Sequence, residues 1–220
     1  MPTFAKLFSE FLGTFFLVFA GTGAIVINDV SSGAITHPGV ALTFGLVVLA
    51  MIYTFGEISG AHLNPAVTVA FAAARRLPWS LVLPYIVAQC FAALMASALL
   101  HELFPAHRTL GATLPHGSAL QSLIFEFVLT FFLMLVILEV STGAKEKGIT
   151  AGIVIGSVVA LEAMFAGPIC GASMNPARSL GPALVSGQLQ QLWLYLLGTT
   201  AGACCAIPAS SLIRKKQLSL

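Results

Sequence analysis

Six runs of apolar residues, separated by short polar segments, set the pattern of this chain; they cover 4–27, 40–55, 79–100, 119–140, 149–166 and 189–213. A helix needs roughly 20 such residues to cross a bilayer, so each run predicts a membrane span. Two shorter apolar runs, 65–74 and 176–185, are too short to cross, and each is headed by the tripeptide Asn-Pro-Ala. The first span carries Glu10 and lacks the compact basic start of a secretory signal, so it reads as a retained helix.

The two halves of the chain repeat. Over residues 59–67, SGAHLNPAV, lie residues 170–178, CGASMNPAR, at an offset of 111. EFLGTFFL at 10–17 matches EFVLTFFL at 126–133 in six of eight positions, at an offset of 116. Two separate segments repeating at nearly one spacing indicate duplication. Each half holds three spans, and an odd number makes the second copy enter the membrane from the opposite side. The predicted fold is therefore an all-α membrane protein, with six transmembrane helices plus two re-entrant half-helices in an inverted three-helix repeat. It forms one domain, repeat one spanning about 1–105 and repeat two about 117–220.

Composition agrees with this reading. Apolar residues make up 58% of the chain and charged residues 8%, with a mean hydropathy of +0.96; soluble domains carry about 25% charged residues. Eight of the ten Lys and Arg residues fall on one side if the chain starts inside and crosses six times: Lys6, Arg75, Arg76, Lys145, Lys147, Arg214, Lys215 and Lys216. Arg108 and Arg178 fall on the other, with Asp29, Glu102, His37, His101, His107 and His116. The positive-inside rule then makes both termini cytoplasmic. The net charge of +2 is an orientation signal and no basic nucleic-acid patch is present. Cys90, Cys170, Cys204 and Cys205 lack metal-ligand spacing and read as free thiols, so neither metal nor cofactor is expected.

Asn followed by Pro is a helix-start signal, with Asn as N-cap and Pro in the first turn. Asn64, Pro65 and Ala66, and likewise Asn175, Pro176 and Ala177, would point two positive helix ends at the bilayer centre. Both Asn amides could then donate to a hydroxyl-bearing solute, while cations and relayed protons meet a barrier. The segments before the half-helices, 57–63 and 167–174, should be irregular and expose a ladder of carbonyls along one wall. Arg178 stands where the first repeat has Val67, and a charge in so apolar a context is costly and usually functional. Glu10 and Glu126 are equivalent in the repeats. Bracing of the irregular segments and a proton relay are both open to them, and their symmetry favours bracing. Glu57, Glu139 and Glu162 have no counterpart in the other half: Glu139 reads as interfacial, and Glu57 and Glu162 receive no role. Gly13, Gly45, Gly152, Gly156 and Gly202 lie within spans and signal close helix packing.

These motifs resemble the aquaporin, or major intrinsic protein, family along the whole chain. SGAHLNPAVTVAFA, FAGPICGASMNPARSLGPAL and the nearby RLPW are most similar to nodulin-26-like channels and their bacterial relatives. The resemblance implies a homotetramer in a plasma or bacterial inner membrane, with one pore per subunit and no enzymatic activity. It also implies a four-position outer filter, carried over here to Phe44, Ala163, Ala172 and Arg178. Strict water channels place a histidine at the position of Ala163, and glycerol facilitators use two aromatics. One aromatic, two alanines and an arginine should form a wider, less polar opening. It would pass small uncharged solutes such as water, glycerol, urea and arsenous or boric acid. A predominantly water-selective pore is the alternative, and an ion-coupled transporter a more distant one, since the junction offers two positive ends and no carboxylate cluster. The mercury-sensitive family position falls on Ala172, with Cys170 two residues earlier.

Overall fold

The computed structural model describes residues 3–141 and 145–217. Helices α1 (Thr3–Val30), α2 (Thr36–Ser59), the short α3 (Pro65–Ala73) and α4 (Val82–Leu103) form the first half. Helices α5 (Ala119–Val140), α6 (Lys145–Cys170), the short α7 (Pro176–Ser186) and α8 (Leu192–Gln217) form the second. A 3₁₀ turn, Trp79–Leu81, precedes α4, and no strand occurs among the described residues. Six helices are long and apolar enough to cross a membrane. The side chains of Lys145, Lys147, Lys215 and Lys216 lie outside the described residues.

Helix packing obeys an approximate two-fold. Helix α1 packs on α2 and α4 as α5 packs on α6 and α8. The short helices cross over: α3 packs on α8 of the other half, and α7 on α4. Neither half can therefore bury its own half-helix alone. On the axis, α2 meets α6 through Gly45 and Gly156, residues 111 apart. A Cβ on Gly45 would lie 2.5 Å from the Gly156 carbonyl, and one on Gly156 would lie 2.6 Å from the Gly45 carbonyl. The other span glycines also meet neighbours: Gly13 faces Leu63, Gly152 the Tyr53 ring and Gly202 the Phe127 carbonyl.

Polarity is arranged inside out relative to a soluble protein. Phe4, Phe16, Leu46, Leu83, Phe132, Leu161 and Leu197 are exposed, whereas Glu10, Glu126, Asn64, Asn175, Gln89 and Arg178 are buried. Hydrocarbon surroundings invert the usual burial preference: a polar group is costly on the lipid face and tolerated where the bundle supplies partners.

The apolar runs place the helices, but their ends differ from expectation. Helix α2 extends four residues beyond each end of run 40–55, and α6 begins at Lys145 and runs to Cys170. Residues 57–59 and 167–170, expected to be irregular, are helical. Hydropathy marks where lipid begins, whereas a helix ends where its backbone turns. Here that happens at Gly60 and Gly171, both left-handed at φ 90° and 82°. Helix α8 starts at Leu192 rather than 189, because the left-handed Gly187 caps α7 and a turn follows it.

Replacing Gly156 with Leu should lower unfolding stability by about 1–3 kcal/mol or prevent assembly of the bundle. Gly56→Ala should be tolerated, since the nearest atom to a Cβ there is 3.9 Å away. Thermal unfolding in detergent would measure both, and equal tolerance would remove the α2–α6 contact as a constraint.

Candidate functional site

Asn64 and Asn175 adopt extended backbone at the heads of α3 and α7, each followed by Pro in the first turn. The Asn64 side-chain oxygen accepts from Ala66 N at 2.9 Å, and that of Asn175 accepts from Ala177 N at 3.0 Å and Arg178 N at 3.3 Å. The amide nitrogens tie the halves together, Asn64 Nδ2 donating to the Met174 carbonyl (2.7 Å) and Asn175 Nδ2 to that of Leu63 (2.8 Å). An amide has two N–H groups, so each Asn keeps a second donor. Both residues line one cavity. Their N-cap geometry leaves two positive helix ends facing each other within it.

The connecting segments are irregular only at 60–64 and 171–175, and they mirror each other residue by residue. Ala61 and Leu63 have φ of 45° and 52°, and Ala172 and Met174 of 41° and 54°. Left-handed backbone is uncommon outside glycine, and here it turns consecutive N–H groups to one side, a concave arrangement suited to an anion. Glu10 fills the first: Oε1 accepts from His62 N (2.9 Å) and Oε2 from Leu63 N (2.7 Å). Glu126 fills the second, Oε1 accepting from Ser173 N (2.8 Å) and Oε2 from Met174 N (2.9 Å).

Arg178, 3% exposed, lines the cavity at the Phe44 end. Its Nη1 donates to the Gly111 carbonyl at 2.8 Å, and its guanidinium stands 5.0 Å from the centroid of the Phe44 ring. Its Nε has no partner. Phe44 is held in place by Gly21, where a Cβ would collide with the ring. Phe44, Ala172 and Arg178 all line the cavity. On α6 the wall is formed by Ala151, Ile155 and Val159, and Ala163 follows one turn further, buried but beyond that wall. The structure thus brings three of the four expected filter residues onto the cavity, with Ala163 next in line.

The cavity, about 970 Å³, runs from Phe44 and Arg178, past both Asn residues, to Lys6, Arg76 and Ser141. Its α2 and α6 side is apolar, with Val48, Ile52, Ile155 and Val159. Glu57 lines the inner end. Glu139 joins α5 to α8, accepting from Ser210 Oγ at 2.6 Å and Arg214 Nε at 3.3 Å. Glu162 is buried near Glu126 with Oε2 unpartnered, and it does not reach the cavity wall. Cys170 is buried, its thiol directed at the Ala166 carbonyl. Among the described residues no cluster suited to a metal ion occurs.

Several contributors escape a reading of the sequence by motif. Gln89 Nε2 donates to Glu10 Oε2 at 2.8 Å and to Thr68 at 3.0 Å, and His62, stacked 4.6 Å from Phe71, lines the cavity. Tyr85 donates to the Ser59 carbonyl and Tyr195 to that of Cys170, fixing the last turns of α2 and α6. The repeat offset is the signal that could have found this pair, since 195 − 85 is 110 and 170 − 59 is 111. Gly111 had no such signal, because the loop carrying it has no counterpart in the other half.

Comparison with known proteins matches this arrangement. The family model "Major intrinsic protein" matches residues 1–208. The chain is 48% identical to Aquaporin NIP1-1 of Oryza sativa subsp. japonica, over 97% of this chain and 76% of the relative. It is 46% identical to Nodulin-26 of Glycine max, over 97% and 79%. An X-ray structure of the aquaglyceroporin from Plasmodium falciparum superposes with a TM-score of 0.85, covering 96% of this chain and all of that one. At 23% identity that likeness concerns the fold alone.

Glu10→Ala would strand two backbone N–H groups together with the Ser59 hydroxyl and the Gln89 amide, whereas Glu126→Ala strands two backbone groups. Unmade buried hydrogen bonds cost about 1–3 kcal/mol each, so both variants should be strongly destabilised and Glu10→Ala the more so. Thermal unfolding ranks them; wild-type stability in either variant would show that the loops hold their shape unaided.

Proposed function

Because the chain belongs to the major intrinsic protein family, we propose that it is a passive membrane channel whose pore is the cavity between the two Asn-Pro-Ala segments. Small uncharged solutes, with water, glycerol, urea and arsenous or boric acid as the class, would cross it one after another. Ions and protons would be turned back. The observation that carries this reading is the meeting of two positive half-helix ends, each with a spare Asn N–H, inside a cavity whose α2 and α6 side is apolar. A neutral hydroxyl can accept from both amides, and where the half-helices meet the carboxylates of Glu10 and Glu126 are taken up by backbone N–H groups. Glu10 and Glu126 are already engaged by N–H donors, which supports bracing over a proton relay.

The proposed filter is Phe44, Ala163, Ala172 and Arg178. Two methyl side chains leave room beside one aromatic and one fixed cation, which supports passage of solutes larger than water. The relatives' names, aquaporin and nodulin-26, fit the channel class. The close approach of Arg178 to Phe44 supports a second reading, a predominantly water-selective pore. An ion-coupled transporter gains no support, because coupling requires carboxylates or carbonyls gathered at the meeting point. The family relationship makes the chain a channel protein rather than an enzyme.

We also propose one domain of two inverted repeats, a homotetramer in a plasma or bacterial inner membrane, and cytoplasmic termini. Lys6 and Arg76 share the inner end of the cavity, and Arg214 binds the same Leu138 carbonyl as Arg76. Basic residues gathered at one end support the orientation.

Stopped-flow light scattering on proteoliposomes tests the function. Shrinkage in an impermeant osmolyte followed by fast re-swelling in glycerol, urea or arsenous acid is expected; shrinkage alone would leave a water channel. Ala163→His should cut glycerol flux by roughly tenfold, equivalent to about 1.4 kcal/mol of added barrier, while sparing water. Unchanged glycerol flux would remove Ala163 from the filter. Arg178→Val should admit small cations or protons, and a tight pore in that variant would place exclusion on the half-helices alone.

A further inference from the structure

The loop joining α4 to α5 reaches over the outer end of the cavity and delivers the Gly111 carbonyl to Arg178. Gly111 is wedged against α1: its φ is 72°, and a Cβ there would lie 2.9 Å from Thr22 Cβ. Leu110 before it is also left-handed, at φ 50°, with its side chain fully buried. Two successive residues in this region, one of them not glycine, persist only where neighbours over-determine them.

One side chain supplies that constraint. His107 Nδ1 accepts the Leu110 N–H at 3.0 Å, while Nε2 lies 3.2 Å from Asp29 Oδ2 at the end of α1. With Nδ1 accepting, the neutral ring carries its proton on Nε2 and donates it to Asp29. The imidazole side chain is 9% exposed and the aspartate 53%. Both ring nitrogens are thus committed, one to the loop turn and one to a membrane helix.

We propose that Asp29 and His107 form a clasp that positions Arg178 through Leu110 and Gly111, and so sets how the pore discriminates among solutes. This rests on the channel reading above. Its leverage comes from how few hydrogen bonds hold the guanidinium: Nη1 donates to the Gly111 carbonyl and Nε has no partner, with the Phe44 ring 5.0 Å away and Glu126 and Tyr195 acting on it through space. Release of the carbonyl leaves the cation free to change its reach across the opening. His107 and Asp29 touch no solute and act as positioning residues.

The two ring nitrogens can be tested separately in the full chain in proteoliposomes. His107→Asn places an amide oxygen near the Nδ1 position and retains an acceptor for Leu110. His107→Gln keeps a donor for Asp29 but loses that acceptor. The readouts are the glycerol-to-water permeability ratio and hydrogen exchange at the Leu110 amide. His107→Gln should shift the ratio by about two- to tenfold, the scale of one hydrogen bond, and accelerate Leu110 exchange. His107→Asn, which keeps the Leu110 acceptor but loses the donor to Asp29, should move both readouts in the same direction but less than His107→Gln. Asp29→Ala, at a half-exposed site, should move both readouts in the same direction as His107→Gln, and Asp29→Asn should restore them. A wild-type ratio with wild-type exchange in His107→Gln and Asp29→Ala would overturn the clasp. If the native chain passes neither glycerol nor water the channel reading fails, and Leu110 exchange alone then decides the clasp, unchanged exchange overturning it.

Discussion

Backbone that is not helical cannot lie at the centre of a bilayer unless the protein itself satisfies its N–H and C=O groups. Most of this structure follows from that constraint. Two half-helices meeting at mid-depth create two irregular connections, 60–64 and 171–175, and each is fitted with a buried carboxylate. The carboxylate takes consecutive N–H groups on one side. Left-handed residues can then persist, and the Asn side chains can cap one helix while bonding the opposite connection. Carboxylate, turn and cap form one unit, so removing any part exposes polar backbone to a medium that offers nothing in exchange.

The two copies of this unit are not equal. Glu10 also accepts from Ser59 Oγ and Gln89 Nε2. Beside Glu126 the corresponding residue is Cys170, whose thiol is directed at the Ala166 carbonyl, and Thr199, at the position of Gln89 in the repeat, bonds the Tyr195 carbonyl instead. The largest difference is at Val67 and Arg178, 111 residues apart, which both line the cavity. Duplication supplies a symmetric frame, and one difference, apolar to cationic, places a fixed charge at only one of the two equivalent positions. An arginine at the inner position as well would have set two fixed cations on either side of two positive helix ends, raising the barrier for every solute with a positive dipole face.

Much of this was legible in the sequence, because lipid imposes strong and simple patterns. The six spans, the repeat, the Asn-Pro heads and the paired glutamates are each signalled by residue type and spacing. Helix ends were less legible: 57–59 and 167–170 continue the helix because the breaking signal is the left-handed glycine, not the change in hydropathy. The surroundings of Arg178 were largely hidden. Gly111 arrives from a loop that only one half contains, so neither periodicity nor repeat offset points to it, whereas Gly21 and Phe44 meet through a contact between α1 and α2. The sequence names the charge in the pore, and the tertiary structure decides where that charge can stand.

Under the proposed function, ion exclusion and solute selection would occupy different places along this cavity. Exclusion would rest on the half-helix ends at the centre, where peptide dipoles amount to about half a charge each and cannot be removed without unfolding the helices. Selection would rest on side chains at the Phe44 end, Phe44, Ala172 and Arg178 with Ala163 beyond, which can change size with little effect on the frame. Such separation would let the opening widen by loss of a few side-chain atoms while cations still met the central barrier. An outer end trimmed to alanines is then compatible with a tight membrane, because the width of the entrance and the sign of the central potential are set by different parts of the structure.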